Sequence, residues 1–307
     1  MTGASGFVGG HLRRAMLGSG ALVFGLGTEP VAPARDLEGW VQADLTAAAA
    51  VTDAIRRVNP DFVVHLAGQA SAGLSFETPE RTFRVNVIGT WHILDAAREH
   101  APDARLLIVG SGECYGPQPP GTRVPESAAF TPVSPYAFSK AAADEIAEAA
   151  CRAWGLDVVR TRSFSHAGPG QSRRFALPSF AAQIARLERT GREGVLRVGN
   201  LDVIRDLIDV RDVADCYVAL LRHGTRGEAY NVCGGTEVPL AWVVESLTRM
   251  ARTVVQVEVD PARFRPADVP YLVGDPSRVR AETGWAPKRT LETMLDDLLE
   301  EHRRSCA

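Results

Sequence analysis

The chain has 307 residues, and its 34 lysine and arginine residues against 37 aspartate and glutamate residues give a formal charge of −3. Hydrophobic residues make up 45% and charged residues 23%, which excludes a disordered chain and suits two closely joined domains. A nearly neutral chain gives no electrostatic reason to expect nucleic acid or an anionic membrane as partner. The sequence has no run of about 18 apolar residues and no secretory leader, so we expect a cytoplasmic protein.

The cysteine and histidine patterns argue against disulfides and metals. The five cysteines are odd in number and widely spaced, and none forms a CxxC pair, which favours reduced thiols. The seven histidines form no HExxH motif and no close cluster with cysteine or aspartate. We therefore expect no metal site.

Strand-like and helix-like runs alternate along the first half of the chain. Apolar runs rich in β-branched residues predict buried strands at Ala21–Leu26, Phe62–Leu66, Arg105–Val109 and Asp157–Thr161. Segments with helical periodicity predict helices at Phe7–Leu17, Ala47–Val58, Pro79–Arg98 and Pro135–Trp154. This alternation predicts an α/β fold with a doubly wound parallel sheet.

The alternation becomes looser after about Phe164, where Gly, Pro and Arg cluster. The predicted helices here are Pro178–Arg189, Val210–Arg222, Leu240–Ala251 and Thr290–His302, with short strands near Val195–Val198 and Ala229–Val232. We interpret this half as a smaller α/β domain interleaved with returns to the main sheet. The predicted division assigns residues 1–164 with 203–233 to the larger domain, and 165–202 with 234–307 to the smaller one.

Three glycines, Gly3, Gly6 and Gly9, lead directly into the first predicted helix. Glycine allows a tight turn and a close approach of the backbone to a phosphate, and a helix N-terminus offers free N–H groups and a positive dipole end. The spacing therefore predicts a dinucleotide pyrophosphate site, with Phe7 and Val8 in the first helical turn. The alternative is an ordinary turn of small residues.

The strand that should precede this turn is missing, because only Met1 comes before Thr2. The prediction is thus a Rossmann sheet without its first strand. The pattern leaves open whether residues precede Met1 or whether the sheet tolerates the loss of this strand. Asp44 is a candidate to contact adenine or to cap a turn. The second strand ends with neither an acid for a ribose 2′-hydroxyl nor an arginine for a 2′-phosphate at its tip, although Glu29 and Arg35 are nearby.

Tyr136 and Lys140 form a YxxxK pattern on one face of a predicted helix. We expect the Lys140 ammonium to lower the pKa of Tyr136 and make it a proton donor and acceptor near neutral pH. Ser111 follows the predicted strand Arg105–Val109, at the strand end where doubly wound folds bind ligands. Together these residues predict hydride transfer at a carbon–oxygen bond, whereas YxxxK alone is as often an exposed helix surface.

Combined, the glycine turn, Ser111 and the YxxxK pattern resemble the extended short-chain dehydrogenase/reductase family that acts on nucleotide sugars. The resemblance covers nearly the whole chain and includes His65–Gln69, the helix that carries Asn86, Arg205–Val213, Arg265–Val269 and Gly274–Arg278. The last two segments resemble the branch of GDP-mannose 4,6-dehydratases and GDP-6-deoxy-4-keto-mannose reductases.

The resemblance implies NADP or NAD as cofactor, held in the larger, dinucleotide-binding domain by Gly3, Gly6, Phe7, Val8, Asp44, Leu45, Leu66, Ala67, Gly68, Tyr136 and Lys140. It implies a nucleotide sugar in the smaller domain, bound by Ser165, Arg174, Arg205, Arg265 and Arg278. Arginine suits the diphosphate because its planar fork can make paired hydrogen bonds. Glu113 stands where the dehydratases have their base, so it joins Ser111, Tyr136 and Lys140 as a catalytic candidate.

The stretch Thr161–Gln171 is more similar to the reductases than to the dehydratases, although Ser165 replaces the family's usual asparagine. We therefore expect NAD(P)H-dependent reduction of the 4-keto group of GDP-4-keto-6-deoxy-mannose to GDP-rhamnose. A GDP-mannose 4,6-dehydratase or a nucleotide-sugar 4-epimerase would keep the fold and change the reaction, and a nucleotide-sensing regulator is the non-enzyme alternative. The resemblance also implies a homodimer paired through Pro79–Arg98 and Pro135–Trp154.

Overall fold

The computed structural model describes residues 1–32, 34–264 and 268–306, and it contains the expected alternation of strands and helices. In chain order, the strands are β1 (Phe24–Gly27), β2 (Gly39–Gln42), β3 (Phe62–His65), β4 (Arg105–Ser111), β5 (Asp157–Ser163), β6 (Ser165–Ala167), β7 (Gly194–Val198), β8 (Ile204–Arg205), β9 (Leu207–Asp209), β10 (Ala229–Val232), β11 (Val238–Pro239), β12 (Val255–Val259) and β13 (Tyr271–Leu272). The predicted strands coincide with or overlap β1, β3, β4, β5, β7 and β10.

The helices cover the faces of the sheets. In chain order, they are α1 (Phe7–Gly18), α2 (Ala48–Val58), α3 (Ala72–Glu77), α4 (Pro79–Phe83), α5 (Gly89–His100), α6 (Pro135–Trp154), α7 (Ala176–Thr190), α8 (Val210–His223), α9 (Leu240–Met250), α10 (Ser277–Thr283) and α11 (Leu291–Cys306). Among the residues described, no helix is long and apolar enough to cross a membrane. No group of three His, Cys, Asp or Glu side chains within those ranges is placed to hold a metal ion.

The main sheet is parallel throughout. β3, β4, β5 and β10 pair in that order, and β1 pairs with β2. β4 lies in the middle of the larger part, and its residues Leu106, Leu107 and Ile108 are buried because neighbouring strands and covering helices enclose it. The prediction of an α/β fold with a doubly wound parallel sheet is confirmed.

Met1 and Thr2 lie where the first strand was expected. Thr2 makes parallel bridges to Leu26 of β1 and to His65 of β3, and it joins the two parts of the sheet. The N–H of Thr2 donates to the carbonyl oxygen of Val64, and that of Leu26 donates to the carbonyl oxygen of Met1, each at 2.9 Å. In the described part of the chain, Met1 and Thr2 thus supply the backbone hydrogen bonds that connect β1 to β3.

Local sequence explains the helix that carries the YxxxK pattern. The Ser134 hydroxyl accepts a hydrogen bond from the N–H of Ala137 and caps α6, and Pro135 occupies the first helical position. Gly155 ends the helix with a φ of +71°, in the left-handed region that glycine adopts without strain. The predicted bounds of this helix are confirmed to the residue.

The predicted helix Pro79–Arg98 is interrupted, which the periodicity did not predict. α4 ends at Phe83, a π-helical turn covers Arg84–Ile88, and α5 follows. Asn86 lies in this turn and is buried, and its amide bonds to groups outside the helix. The π-helical turn therefore directs the Asn86 side chain into the protein interior, toward Gln69 and Ser139. Such turns are frequent at functional sites.

The second half of the chain adds smaller sheets. β7 pairs with β12, β6 pairs with β9, and β8 lies between β11 and β13. α7, α9 and α11 surround a separate apolar core that includes Ile184, Leu196, Leu247 and Leu295. The assignment of particular residue ranges to two domains stays a prediction.

Candidate active site

The glycine turn is tightly packed against the end of β3. Gly3 has a φ of +66°, and a Cβ added to it would lie 2.9 Å from the backbone nitrogen of Ala67. A Cβ on Gly9 would overlap the carbonyl oxygen of Gly3 and lie 2.9 Å from the Cα of Ala4. Both positions therefore require glycine, since real Cβ atoms do not approach other atoms so closely.

The N-terminus of α1 offers free donors beside this turn. Gly6 is its N-cap residue and provides no side-chain cap, and the first turn contains no acidic residue. The first N–H groups of a helix have no partner within the helix, and the helix dipole favours an anion there. This cradle of backbone fits the pyrophosphate of a nicotinamide dinucleotide.

Buried polar contacts hold the turn in place. The Thr2 hydroxyl bonds to Nδ1 of His65 at 2.8 Å and accepts from the N–H of Ala67 at 3.1 Å. Nε2 of His65 bonds to the Thr90 hydroxyl at 3.0 Å. Burial lowers the pKa of His65 to about 3, so its ring is neutral at working pH and serves as a fixed connector between the turn and α5.

A cleft of about 700 Å³ extends from the glycine turn across the carboxyl ends of the central strands. It reaches the loop after β5 and the small sheet that contains β8. Fourteen of the predicted site residues line this cleft, namely Gly3, Gly6, Phe7, Val8, Leu66, Ala67, Gly68, Ser111, Glu113, Tyr136, Lys140, Ser165, Arg174 and Arg205. The fold therefore brings most of the sequence-predicted site into one space.

Ser111 and Tyr136 meet inside the cleft. Ser111 is the last residue of β4, and Tyr136 lies in the first turn of α6. The Ser111 hydroxyl lies close enough to the Tyr136 phenol to lower its pKa, although burial outweighs this effect. The Ser111 oxygen also accepts from the N–H of Glu113 at 3.2 Å, which orients its hydroxyl group. A hydroxyl and a phenol are thus paired at the end of a central strand, where a carbonyl oxygen can accept from both.

The lowered pKa that we expected for Tyr136 is not seen in this structure. Burial is the largest influence on Tyr136 and raises its pKa, and the Glu113 carboxylate raises it further. Nζ of Lys140 donates to the carbonyl oxygen of Val109 at 2.9 Å. Burial lowers the pKa of Lys140 itself to about 8. Tyr136 is therefore a protonated donor rather than a ready phenolate.

A buried network fixes the start of α6, and sequence reasoning missed most of it. The Asn86 amide donates to the Ser139 hydroxyl at 2.9 Å, and this hydroxyl donates to the carbonyl oxygen of Tyr136 at 2.7 Å. The Ser75 hydroxyl accepts from the N–H of Tyr136 at 3.1 Å. Asn86 also accepts from the N–H of Gln69 at 2.8 Å. The loop after β3 and the helix that bears Tyr136 are therefore positioned together.

Two predicted cofactor residues lie apart from the cleft. Asp44 is exposed, and its carboxylate accepts from both the N–H and the hydroxyl of Thr46, which lowers the pKa of Asp44. This is the turn-capping role that the sequence also allowed. Leu45 is buried against Gly89 and belongs to an apolar core cluster. We therefore leave both residues out of the proposed site.

The predicted substrate arginines have different positions. Arg174 and Arg205 line the cleft, and Arg205 pairs with Asp268 at 3.1 Å. Arg278 lies outside the cleft lining, where it pairs with Glu228 and donates to the carbonyl oxygen of Ala229. We therefore leave Arg278 out of the substrate site, and Arg265 lies outside the described residues.

Sequence reasoning missed other polar residues at the far end of the cleft. Arg173, Asn200, Arg263 and Asp268 also line it, and Asn200 donates to Asp268 at 3.1 Å. Asp268 lies in the Arg265–Val269 segment that carries the resemblance but was not itself a candidate, and no local motif distinguishes Arg173, Asn200 or Arg263. The far end is rich in arginine, as a site for a diphosphate requires.

Comparison with known proteins agrees with this geometry. A family model described as GDP-mannose 4,6 dehydratase matches residues 1–298. The chain is 37% identical over 248 residues to the GDP-6-deoxy-D-mannose reductase of Pseudomonas aeruginosa, which covers 79% of this chain and 80% of the relative. It is 32% identical over 321 residues to a dTDP-glucose 4,6-dehydratase of Mycolicibacterium smegmatis, which covers 99% of this chain and 92% of the relative.

Solved structures show the same fold over almost the whole chain. The structure of RMD from Pseudomonas aeruginosa complexed with NADPH matches with a TM-score of 0.83 and 31% identity, over 99% of this chain and 97% of that one. A Thermus thermophilus UDP-glucose 4-epimerase complexed with NAD matches with a TM-score of 0.87 and 28% identity, over 98% and 97%. This chain therefore belongs to the GDP-mannose 4,6 dehydratase family and has the extended short-chain dehydrogenase/reductase fold that its sequence motifs predicted.

Proposed function

We propose that this protein is an NAD(P)H-dependent reductase that converts the 4-keto group of GDP-4-keto-6-deoxy-mannose to the alcohol of GDP-rhamnose. The observation that carries the proposal is that Ser111 and Tyr136 interact inside one cleft that also contains the glycine turn. The similarity to a GDP-6-deoxy-D-mannose reductase over most of the chain supports the choice of substrate.

Each polar group of the pair has a step to perform. A bound nicotinamide supplies the hydride. The Ser111 hydroxyl donates to the keto oxygen and orients it, and the Tyr136 phenol transfers its proton to that oxygen as negative charge develops there. The raised pKa of Tyr136 suits this direction, since reduction needs the protonated phenol.

Lys140 stabilises the charge that this proton transfer leaves behind. It lies one helical turn from Tyr136 and lines the same cleft. Below pH 8 it is an ammonium, so it favours the phenolate electrostatically and binds ribose hydroxyl groups of the cofactor. The glycine turn and the N-terminus of α1 bind the pyrophosphate, and Arg174 and Arg205 bind the substrate diphosphate.

A 4,6-dehydratase is the second candidate, because Glu113 lies in the cleft close enough to influence the pKa of Tyr136. A carboxylate in that place could remove the proton next to a keto group. A dehydratase returns its hydride to the substrate, so it consumes no cofactor. Incubation with GDP-mannose alone, followed by detection of a 4-keto product, tests this candidate.

We also propose a homodimer paired through α4, α5 and α6. Phe83, Trp91 and Phe138 lie on these helices and Ile88 lies in the π-helical turn between α4 and α5. They are between 40% and 53% exposed, which is unusual for large apolar side chains on helices that pack side by side. Light scattering of the purified protein should give twice the mass of the chain, and Trp91→Glu should yield monomers. A monomeric parent protein would contradict this proposal.

The experiment for the main proposal is an assay of NAD(P)H oxidation with GDP-4-keto-6-deoxy-mannose, with product detection by mass spectrometry. One cofactor molecule oxidised for each alcohol formed supports a reductase. No oxidation with this sugar, together with conversion of GDP-mannose to a 4-keto product or of a nucleotide sugar to its C4 epimer, supports a dehydratase or an epimerase, and binding without turnover of any of these sugars supports a regulator.

A further inference from the structure

The loop between β6 and α7 carries two arginines to the cleft. This arginine loop covers residues 168–175, and its Arg173 and Arg174 line the cleft and are exposed. A long charged side chain on a surface loop loses conformational freedom when it binds a diphosphate. The affinity for such a ligand therefore depends on how firmly the rest of the protein holds the arginine loop.

Helix α1 holds the start of the arginine loop through His11. Nε2 of His11 lies 2.8 Å from the carbonyl oxygen of Pro169. His11 is buried, and burial lowers its pKa, so the ring is neutral and carries a single N–H. Because a carbonyl oxygen can only accept, Nε2 is the nitrogen that donates. A hydrogen bond of fixed direction thus joins α1 to the arginine loop.

Phe7 gives α1 a second contact with this region, one helical turn before His11. Its ring packs edge-on against His11, with ring centroids 5.6 Å apart, and stacks on His166 of β6 at 6.2 Å. The arginine loop passes over the Phe7 ring, since a Cβ added to Gly170 would lie 3.8 Å from Cδ2 of Phe7. The first turns of α1 therefore pack as one unit with the start of the arginine loop.

The same end of α1 belongs to the cradle for the cofactor. Gly6 and Phe7 line the cleft at the N-terminus of α1, where the pyrophosphate of a dinucleotide would bind. A ligand there favours one position of the first helical turn, and through Phe7 and His11 this position also sets the arginine loop. Two sites that bias one packed element are coupled in free energy, and the coupling is the same in both directions.

We propose that His11 is a positioning residue that couples the two ends of the cleft, so that a cofactor at the glycine turn tightens the binding of a nucleoside diphosphate at Arg173 and Arg174. The inference rests on the proposed function for both the dinucleotide and the diphosphate. Coupling of this kind predicts that NAD(P)H tightens the binding of GDP at least about fivefold. The arginine loop is then set for the sugar nucleotide once the hydride donor is in place.

The arginine loop has a second anchor that does not involve α1. The N–H of Gly170 donates to both carboxylate oxygens of Glu301 in α11, at 2.8 and 2.9 Å. α11 packs against α7 and α9 and contributes to the smaller apolar core. Loss of this anchor should loosen the loop whether or not the cofactor is bound, so Glu301→Ala is a control for looseness alone.

Calorimetry with GDP tests the coupling without turnover. GDP would be titrated into the parent protein, His11→Phe, His11→Gln and Glu301→Ala, each with and without saturating NAD(P)H. The phenylalanine ring keeps the contact with Phe7 but donates no hydrogen bond, whereas the glutamine amide restores a donor near the position of Nε2. We expect the tightening by NAD(P)H to fall at least about threefold in His11→Phe and to remain in His11→Gln. Glu301→Ala should weaken GDP binding in both states and leave the ratio of the two affinities unchanged.

Hydrogen exchange gives a second test that needs no substitution. NAD(P)H alone should slow the exchange of the backbone N–H groups of residues 170–175 in the parent protein, because the cofactor fixes α1 and α1 fixes the arginine loop. This measurement decides the inference even where His11→Phe does not fold. Exchange that NAD(P)H leaves unchanged overturns the inference.

The binding outcomes separate this inference from the proposed function. Equal affinity for GDP with and without NAD(P)H in the parent protein overturns the inference. So does an unchanged ratio in His11→Phe, or a ratio that falls as far in His11→Gln or Glu301→Ala. Coupled binding without reduction of the 4-keto sugar supports the inference and overturns only the proposed function. If neither NAD(P)H nor GDP binds, both are overturned.

Discussion

Gly9 leaves no room for a side chain, because a Cβ at this position would overlap the carbonyl oxygen of Gly3. Gly10, the next residue of α1, is open, and a Cβ there would lie 3.8 Å from the nearest atom, Nη2 of Arg14. The two neighbouring glycines therefore differ in what they do: the first allows the turn and the helix to meet, and the second is an ordinary helical residue.

Gly9→Ala should displace the glycine turn and abolish measurable binding of NAD(P)H. Gly10→Ala should keep binding intact and raise the stability by up to about 1 kcal/mol, since alanine is the better helix former. Fluorescence titration with NAD(P)H and thermal unfolding of both variants check this. Binding of the cofactor by Gly9→Ala at the parental affinity would contradict the role assigned to the turn.

Tyr136→Phe should lower the rate of 4-keto reduction by about 10²- to 10⁴-fold, because the general acid is lost while the ring still fills its pocket. Tyr271→Phe is the matched control, since its hydroxyl bonds to Glu237 in the small sheet. The measurement is single-turnover oxidation of NAD(P)H. An unchanged rate in Tyr136→Phe would remove this phenol from the mechanism.

Lys140 gives a pH dependence with a definite sign. Its pKa of about 8 in the folded protein lies below the usual 10.5 because the ammonium is buried. Reduction should therefore decline as the pH rises through about 8, as the stabilising charge beside Tyr136 is lost. The check is a pH profile of kcat measured with saturating cofactor. A rate that stays constant up to pH 10 would contradict this role.

The same burial predicts an unusual stability effect. An ammonium whose folded pKa is lowered destabilises the fold most below pH 8, and the penalty decreases between pH 8 and 10.5. Lys140→Met should therefore lose activity yet unfold at the same or a higher temperature than the parent at pH 7. Its advantage should shrink as the pH approaches 10. A clearly lower unfolding temperature at pH 7 would show that Lys140 is mainly structural.

Asp144 ties the active-site helix to the sheet. It is buried and pairs with Arg160 and Arg162 of β5. Asp144→Asn leaves the buried Arg162 guanidinium without its carboxylate and leaves Arg160 with Glu148, which should lower the free energy of unfolding by about 3–5 kcal/mol. Asp53→Asn, which breaks exposed pairs on α2, should cost less than about 1 kcal/mol. Chemical denaturation of both variants tests this, and equal losses would contradict it.

The sequence could predict those elements whose start and end signals lie within the element itself. The α6 helix has its cap, its proline and its terminal glycine within the sequence, and its bounds Pro135–Trp154 are confirmed. The π-helical turn at Arg84–Ile88 was not predicted, since it depends on buried partners of Asn86 that come from elsewhere in the chain. Short strands such as β8 and β13 were also missed, because they form by pairing with each other from distant parts of the chain.

Side-chain environments were harder to predict than positions. The spacing of Tyr136 and Lys140 is as expected, but burial raises the pKa of the phenol, and a backbone carbonyl engages the ammonium. Arg278 matched a motif, yet a nearby carboxylate pairs with it outside the cleft. Such outcomes depend on the desolvation and the partners that folding creates, which residue types alone do not reveal.

The most direct test of the proposed reaction is transfer of deuterium. The parent protein would be incubated with NAD(P)H deuterated at the nicotinamide C4 and with GDP-4-keto-6-deoxy-mannose, and the sugar product would be examined by mass spectrometry and NMR. The proposal predicts one deuterium at C4 of a GDP-6-deoxy-hexose for each cofactor molecule oxidised. A product without deuterium, or conversion of the sugar without cofactor oxidation, would contradict it.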